Sequence, residues 1–471
     1  MWPRSVPDSR VTRATAGPSS ASGRAQPRVP DPAPTQPRPS PDRAATGRGR
    51  HASPTRSALL TLQPVRGHLV VQDRAHRVVA PPYDALDPHS RAAVAASDPD
   101  SYLGALPPGG EVTDPDAALR RCRGHLAGLL AAGRFAPLPG PSLLVLGLGA
   151  PPSRALAIVG DVEVAAFADG RVRPHERVRD DRVHDLARYL EVVGVASSPV
   201  AVTHRPHPAV TAATAEVVRH PPAVAYRAAG DPANPDGLDV AVWVVADADL
   251  QARLRDAIAA AGPAYVADGH HRAAAARRYA HATGAGRDDP AGRVLTAVLP
   301  SDHLAVRPFH RRLDGLGPGV DAEVVRDRLA RAGFEITELP GPTARVAPGT
   351  VEVAFAGRWL AVPLPPDRGR DPVEALDVRR LERTILPVVV PEVDPATLVP
   401  VADPLAPDAL VGDGRLGFRL AAPDVEAVLH VADVGGVVPA KTTYVVPKLR
   451  SGLLVSPRGP HAPAPTTYPG R

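Results

Sequence analysis

The chain has 471 residues, 44% of them hydrophobic and 22% charged, which allows about two or three domains with a sizeable core. Its single cysteine, Cys122, excludes an internal disulfide and any cysteine-cluster metal site, and fits a reducing cytoplasm. No apolar run approaches the roughly 18 residues of a transmembrane helix without charges or prolines, and the first residues lack a signal pattern, so a soluble cytoplasmic protein is expected.

The formal charge of +5 is unevenly spread. Residues 1–57 hold 10 arginines and 3 aspartates, a net of +7, so the other 414 residues sum to −2. The basicity therefore belongs to a Pro/Arg-rich segment too poor in large apolar residues to form a core, expected to be disordered. The slightly acidic body and the lack of a basic helix-turn-helix argue against nucleic acid as a partner.

Order is expected from about Leu59. Val78, Val79 and Ala80 read as a strand ended by Pro81-Pro82, which force an extended or turn backbone before Tyr83-Asp84. Asp84, Asp87 and Ser90 are candidate caps for the helical stretch that follows. Residues 116–134 predict an amphipathic helix with Leu119, Cys122, Leu126 and Leu129 on one side. The runs 143–148 and 155–162 flank a Pro-Pro-Ser turn and predict a hairpin. A polar segment, 172–185, precedes a helix at 186–193, and 210–218 predicts another. Beyond it the order is strand 240–245, helix 248–261, strand 264–266 and helix 273–282. Strands at 294–299 and 303–308 lead to the glycine-rich 313–319. A second region begins near Asp321 with a helix at 324–332, strands at 334–339, 351–355 and 359–362, and a helix around 376–383. The last ordered element is expected at 440–454. No Rossmann glycine pattern and no P-loop is present.

Five polar runs can carry chemistry. Asp268-Gly269-His270-His271-Arg272 follows a short apolar strand and opens an alanine-rich helix, an arrangement suited to a small anion or phosphate. Gly269 permits close ligand approach, Arg272 offers a bidentate fork, and either histidine can exchange protons near neutral pH. Asp268 can bind Mg²⁺, orient a histidine or cap the helix. Pro82 stiffens the backbone before Asp84, a carboxylate suited to general base or metal ligand. His175, Glu176 and Arg177, with Asp180, Asp181 and Arg182, suit a phosphate-plus-Mg²⁺ loop or a solvated one. His310-Arg311 can complete an anion pocket. Lys441 and Lys448, in a chain poor in lysine, can meet a phosphate or merely flank a strand.

Together these runs resemble one family, the bacterial and archaeal domain-of-unknown-function 1015 proteins, over residues 62–456. The matching pieces are Val79-Ala80-Pro81-Pro82-Tyr83-Asp84, Arg173-Pro174-His175-Glu176, Tyr265 to Arg272, His310-Arg311, and Lys441-Thr442-Thr443-Tyr444 with Pro447-Lys448-Leu449 and Ser451-Gly452-Leu453. The Asp-Gly-His-His-Arg run is also similar to that of free-serine kinases of the ParB/sulfiredoxin-like superfamily, which phosphorylate L-serine from a nucleotide. The resemblance implies an α+β fold: a mixed-sheet ParB/sulfiredoxin-like catalytic region at 58–315 and a second α+β region at 316–456, flanked by a tail at 1–57 and a flexible end at 457–471.

It further implies phosphoryl transfer to free serine or a similar small hydroxy amino acid, with Mg²⁺ and ATP or ADP as cofactors. Asp84, Asp268, His270 and His271 would be catalytic, Asp84 standing in for the kinase's glutamate base. Arg272, His175, Arg177, His310, Arg311, Lys441 and Lys448 would hold the nucleotide, and Asp268 with Glu176 the metal. The partners are then an amino acid and a nucleotide, with a homodimer as an allowed assembly. A nucleotide-binding or nucleotide-hydrolysing regulator and a phosphomonoester hydrolase would use the same groups. Two departures from the family stand out: Ala273 replaces a tyrosine expected to pack on the ligand, and the loop at 177–182 is shorter and lacks a lysine.

Overall fold

The computed structural model describes residues 59–82, 86, 88–107, 112–231, 234–316, 320–366, 369, 371–403, 406 and 408–462. Asp84 and Asp87, the tail at 1–57 and most of the C-terminal end lie outside the described residues. The fold is α+β, with three sheets of four, seven and eight strands among the described residues.

The eight-stranded sheet is mixed. Its strands lie in the order Val172–Arg173, Ala264–Asp268, Val200–His204, Arg293–Pro300, Ala155–Glu163, Leu143–Leu148, Leu238–Val245 and Val224–Ala228. The hairpin forms as expected, with Leu144 opposite Val159 and Leu148 opposite Ala155. Both faces of this sheet are covered, so its strands read as nearly continuous apolar runs. Period-two alternation sends Leu144, Leu146 and Leu148 into one core and Leu143 and Val145 into another. The helix Pro115–Ala131, capped by Asp114 accepting from the Ala117 amide, packs Leu119, Cys122, Leu126 and Leu129 into the first core.

The seven-stranded sheet is antiparallel and is organised around one long strand, Ala305–Leu313. Its first half pairs with Thr443–Val446, and its second half lies between Val399–Ala402 and Leu416–Leu420. A four-stranded sheet joins His68–Val70 to Leu454–Pro457.

Several expected boundaries move. Val78 ends a helical turn, Ala75–Val78, rather than starting a strand, and Ala80 makes only a single bridge to Ser451. Ala75 and Val78 are both fully buried, so a turn of helix serves the core with one face. Ser90 sits inside the helix Pro88–Ser97, not at its cap. The helix Asp180–Val193 starts six residues earlier than 186, with Asp180 and Asp181 in its first turn, where carboxylates suit the helix dipole. The helix predicted from 376 continues past Pro387 by widening to a π turn at Leu381–Ile385, which accommodates the missing N–H. The element expected at 440–454 divides between two strands in different sheets, Thr443–Val446 and Leu454–Pro457.

Candidate active site

The site is built where strand ends meet. Ala264–Asp268 runs parallel to Val172–Arg173, pairing Ala264 with Val172 and Tyr265 with Arg173. Parallel neighbours release their chains at the same end of a sheet, the usual place for a ligand crevice. This brings the His175-Glu176 loop beside Asp268-Gly269-His270, about 95 residues later in the chain, where the His175 backbone N–H donates to His270 Nε2 at 3.4 Å. The third contribution comes from the C-terminal segment. Val438 bridges to Glu176, its amide donates to the His175 carbonyl at 2.8 Å, and its carbonyl accepts from the Arg177 amide.

Asp268 is the last residue of its strand, and Gly269 turns the chain at φ +98° into the helix His270–Thr283. His270 and His271 are therefore the helix's first two residues, not part of a preceding turn. The Asp268 carboxylate accepts from two cations: Lys448 Nζ at 2.9 Å on Oδ1 and Arg272 Nη2 at 2.6 Å on Oδ2. Burial alone would raise this carboxyl, but Lys448 and Arg272 outweigh it and hold it well below the usual carboxylate range. Arg272 is fixed further by donating Nη1 to the Pro199 carbonyl at 2.8 Å. Lys448 is 5% exposed and lies 4.4 Å from the Tyr444 ring centroid, a cation–π contact that helps offset its burial.

His175 and His270 meet edge to face, with ring centroids 4.6 Å apart. Burial keeps both neutral: His175 is pushed down to about 4, and His270 falls well below its ordinary value, with His175 adding to the effect. His175 Nε2 contacts Thr443 Oγ1 at 3.2 Å, while its buried Nδ1 has no hydrogen-bond partner among the described residues. His271 Nε2 accepts from the Arg179 amide at 3.0 Å, which places the proton of its neutral form on Nδ1. Its pKa is lowered by burial and then by Lys441, Arg182 and Arg179.

Glu176 behaves in the opposite way to Asp268. Burial raises its carboxyl to about 7, and the nearby Asp268 charge adds to the rise, against the pull of Lys441 and of the Lys441 and Thr442 amides. Lys441 adopts φ +60°, a left-handed conformation that costs a non-glycine residue energy. Arg311 braces that turn from beneath, donating Nη1 to the Lys441 carbonyl at 3.0 Å.

These groups line one cavity of about 470 Å³, within the range of small-molecule sites. Asp268, His270, His271, Arg272, Glu176, Lys441 and Lys448 all face it. The other expected residues sit elsewhere. His175 is buried behind His270, Arg177 is exposed outside the lining, and Arg311, 3% exposed, lies under the floor. His310 points to the opposite face of its strand, where its Nε2 faces Asp403 Oδ1 at 3.3 Å and its Nδ1 accepts from the Leu420 amide. Ala273 is 5% exposed and packs in the core with Val266 and Ala276, so the aromatic expected from the resemblance would face the core rather than the ligand. Arg91 and Arg179 line the cavity although no motif singled them out. The one available signal for Arg179 was its place between two charged runs.

Both Asp268 oxygens already serve cations, and among the described residues no group of three His, Cys, Asp or Glu side chains can hold a metal ion.

The family profile described as "protein of unknown function (DUF1015)" matches residues 62–379, more than half of the chain. The chain belongs to the DUF1015 family. No curated protein sequence matches this DUF1015 protein significantly. Among solved structures it is similar to a mutant free serine kinase in complex with ADP, at 15% identity and a TM-score of 0.30, covering 61% of this chain and 87% of that one. A conserved hypothetical protein from Pyrococcus furiosus shares 16% identity with a TM-score of 0.32, covering 63% and 95%. SbnI with a C-terminal truncation, from Staphylococcus aureus, shares 13% identity with a TM-score of 0.35, covering 63% and 87%. Among the described residues of the DUF1015 protein, no helix is long and apolar enough to cross a membrane.

Proposed function

We propose that the cavity transfers a phosphoryl group between a nucleotide, ATP or ADP, and free serine or a similar small hydroxy amino acid. The observation that carries this reading is the composition of one wall. The start of the helix at His270, with Gly269 before it, lines the same cavity as Arg272, Lys441, Lys448, Arg179 and Arg182. Free amides at a helix start and several cations together suit the spread negative charge of a phosphoryl group in transfer.

In this reading the substrate hydroxyl oxygen attacks the terminal phosphorus of the nucleotide. The new O–P bond forms as the bond to the nucleotide's bridging oxygen breaks. The hydroxyl proton passes to Glu176, whose pKa near 7 suits a base at neutral pH. Asp84, the base suggested by the sequence, follows the cavity-lining Pro82 by two residues and is the competing assignment. Asp268 is a positioning residue, holding Lys448 and Arg272 toward the phosphates. His270 and His271 stay neutral and shape the helix start. Mg²⁺ belongs to this reading only as a companion of the nucleotide, since it binds commonly through one or two carboxylates plus phosphates. A cytoplasmic homodimer is compatible with it.

The test is phosphorus-31 NMR of the full chain with Mg²⁺, L-serine and ATP or ADP in turn, and with phosphoserine alone. Growth of a phosphoserine signal supports the transfer and names the donor. Free phosphate from phosphoserine alone replaces the reading with hydrolysis, and an unchanged spectrum removes serine as substrate. Glu176→Gln and Asp84→Asn then separate the two bases, because only the true base abolishes turnover while leaving ADP binding intact.

A further inference from the structure

We propose that a second, apolar recess beside the cavity is the subsite for the base of a nucleoside phosphate; this rests on the nucleotide reading above. The recess lies between the helices Asp180–Val193 and His270–Thr283 and holds about 80 Å³. A single water needs roughly 10–15 Å³ by the same measure, so the space admits a ring system. It adjoins the phosphate-facing cavity: Leu106, Pro107, Leu186, Ser198 and Arg272 line both.

The helical repeat explains the layout. Arg272, Ala275, Ala276 and Tyr279 fall at i, i+3, i+4 and i+7, on one face of one helix, and all four line the recess. Two successive alanines keep this face low where it passes Leu186 and Tyr189 of the other helix, and the recess is the space they leave. Tyr189 already donates its hydroxyl to the Ala105 carbonyl at 2.9 Å, so its ring is fixed as an apolar wall. Water is a poor occupant of such a space, whereas a flat, largely apolar ring is a good one.

The spacing also fits. A rise of about 1.5 Å per residue separates His270 from Ala275–Ala276 by roughly 8–9 Å along the helix. That is the order of distance a ribose bridges between a phosphate and its base. Phosphates at the helix start would therefore deliver the base to the alanine face, with Arg272 at the junction. Serine, with a single hydroxymethyl side chain, has nothing to fill the recess.

The experiment is calorimetric titration of the full chain with ADP and with inorganic pyrophosphate, on wild type and on Ala276→Leu. The leucine fills the recess one turn below Arg272, and pyrophosphate affinity reports whether that guanidinium has been disturbed. The expected result is that the variant binds ADP about tenfold more weakly and pyrophosphate as wild type does. ADP binding unchanged in the variant overturns the subsite while leaving the phosphate reading standing. Wild type binding neither ligand overturns both. Because Ala276 is buried, photolabelling of wild type with 8-azido-ADP gives a reading that does not depend on the variant's folding. Attachment within Leu186–Leu190 or at Tyr279 supports the subsite, and attachment elsewhere overturns it.

Discussion

Lys448 Nζ donates to Asp268 Oδ1 at 2.9 Å across 180 residues of sequence. This contact links the C-terminal segment to the strand end that opens the helix His270–Thr283. Together with Arg272 on the other oxygen, it makes Asp268 the hub that aims two cations into the cavity. The carboxylate is 27% exposed, so the pair is partly screened.

Lys448→Met is expected to destabilise the chain by roughly 2 kcal/mol, less than the loss of a partner in a fully buried pair, because water reaches Asp268. A double-mutant cycle with Asp268→Asn, followed by urea denaturation, checks this. The two losses should fall short of adding, since each change breaks the same contact while Arg272 still balances Asp268 in the first variant. Purely additive effects would show that the two groups do not act as a pair.

Gly269→Ala is expected to cost about 1–2 kcal/mol of stability from its φ of +98° alone. The added Cβ would also sit 2.8 Å from the Arg272 guanidinium. Since Arg272 must then move off Asp268, pyrophosphate affinity should fall about tenfold or more. Chemical denaturation and calorimetry on one preparation read the two effects separately. A stability loss without an affinity loss would remove the helix start from the anion site.

Ala273→Tyr places here the tyrosine that the family resemblance implies. Because Ala273 is buried against Val266 and Ala276, the ring would overpack the core and cost about 1–3 kcal/mol. Ligand affinity should not improve. A tighter complex with unchanged stability would show that this side chain reaches the cavity after all.

Much of the fold was legible because it is local. The hairpin at 143–163 announces itself by alternation around a proline-rich turn, and the strand–glycine–helix at 264–283 by an apolar run ending at Asp268-Gly269. What stayed hidden depends on pairing between distant strands. The parallel register of Val172–Arg173 with Ala264–Asp268 is what sets Glu176 beside Asp268, and no spacing in the sequence encodes it. His310 and Arg311 looked like one functional pair, yet adjacent residues of a strand point to opposite faces, so they serve different surroundings. Val78–Ala80 misled for the reverse reason: β-branched residues suit strands, but burial of Ala75 and Val78 together favours one turn of helix.

Glu176 provides the pH test. Its carboxyl is raised from 4.5 to about 7, chiefly by burial, so the folded state holds its proton more tightly than the unfolded chain. That contribution to stability is fully present below pH 4.5 and is lost as pH rises through 7; above 7 the charged form is a constant burden of roughly 2 kcal/mol after allowing for partial solvent access. Glu176→Gln should therefore be more stable than wild type at pH 8 and lose that advantage by pH 4.5. His175 and His270 act with the opposite sign: their lowered values make stability fall as pH drops below 6.5, in both proteins alike. Subtracting the two pH–stability curves thus isolates Glu176, and a difference that does not vary with pH would show that its carboxyl titrates normally. The same ionisation should set the acidic limb of the activity profile near pH 7. If that limb lies instead near pH 4–5 in wild type, the proton acceptor is an ordinary carboxylate, and Asp84 takes the role.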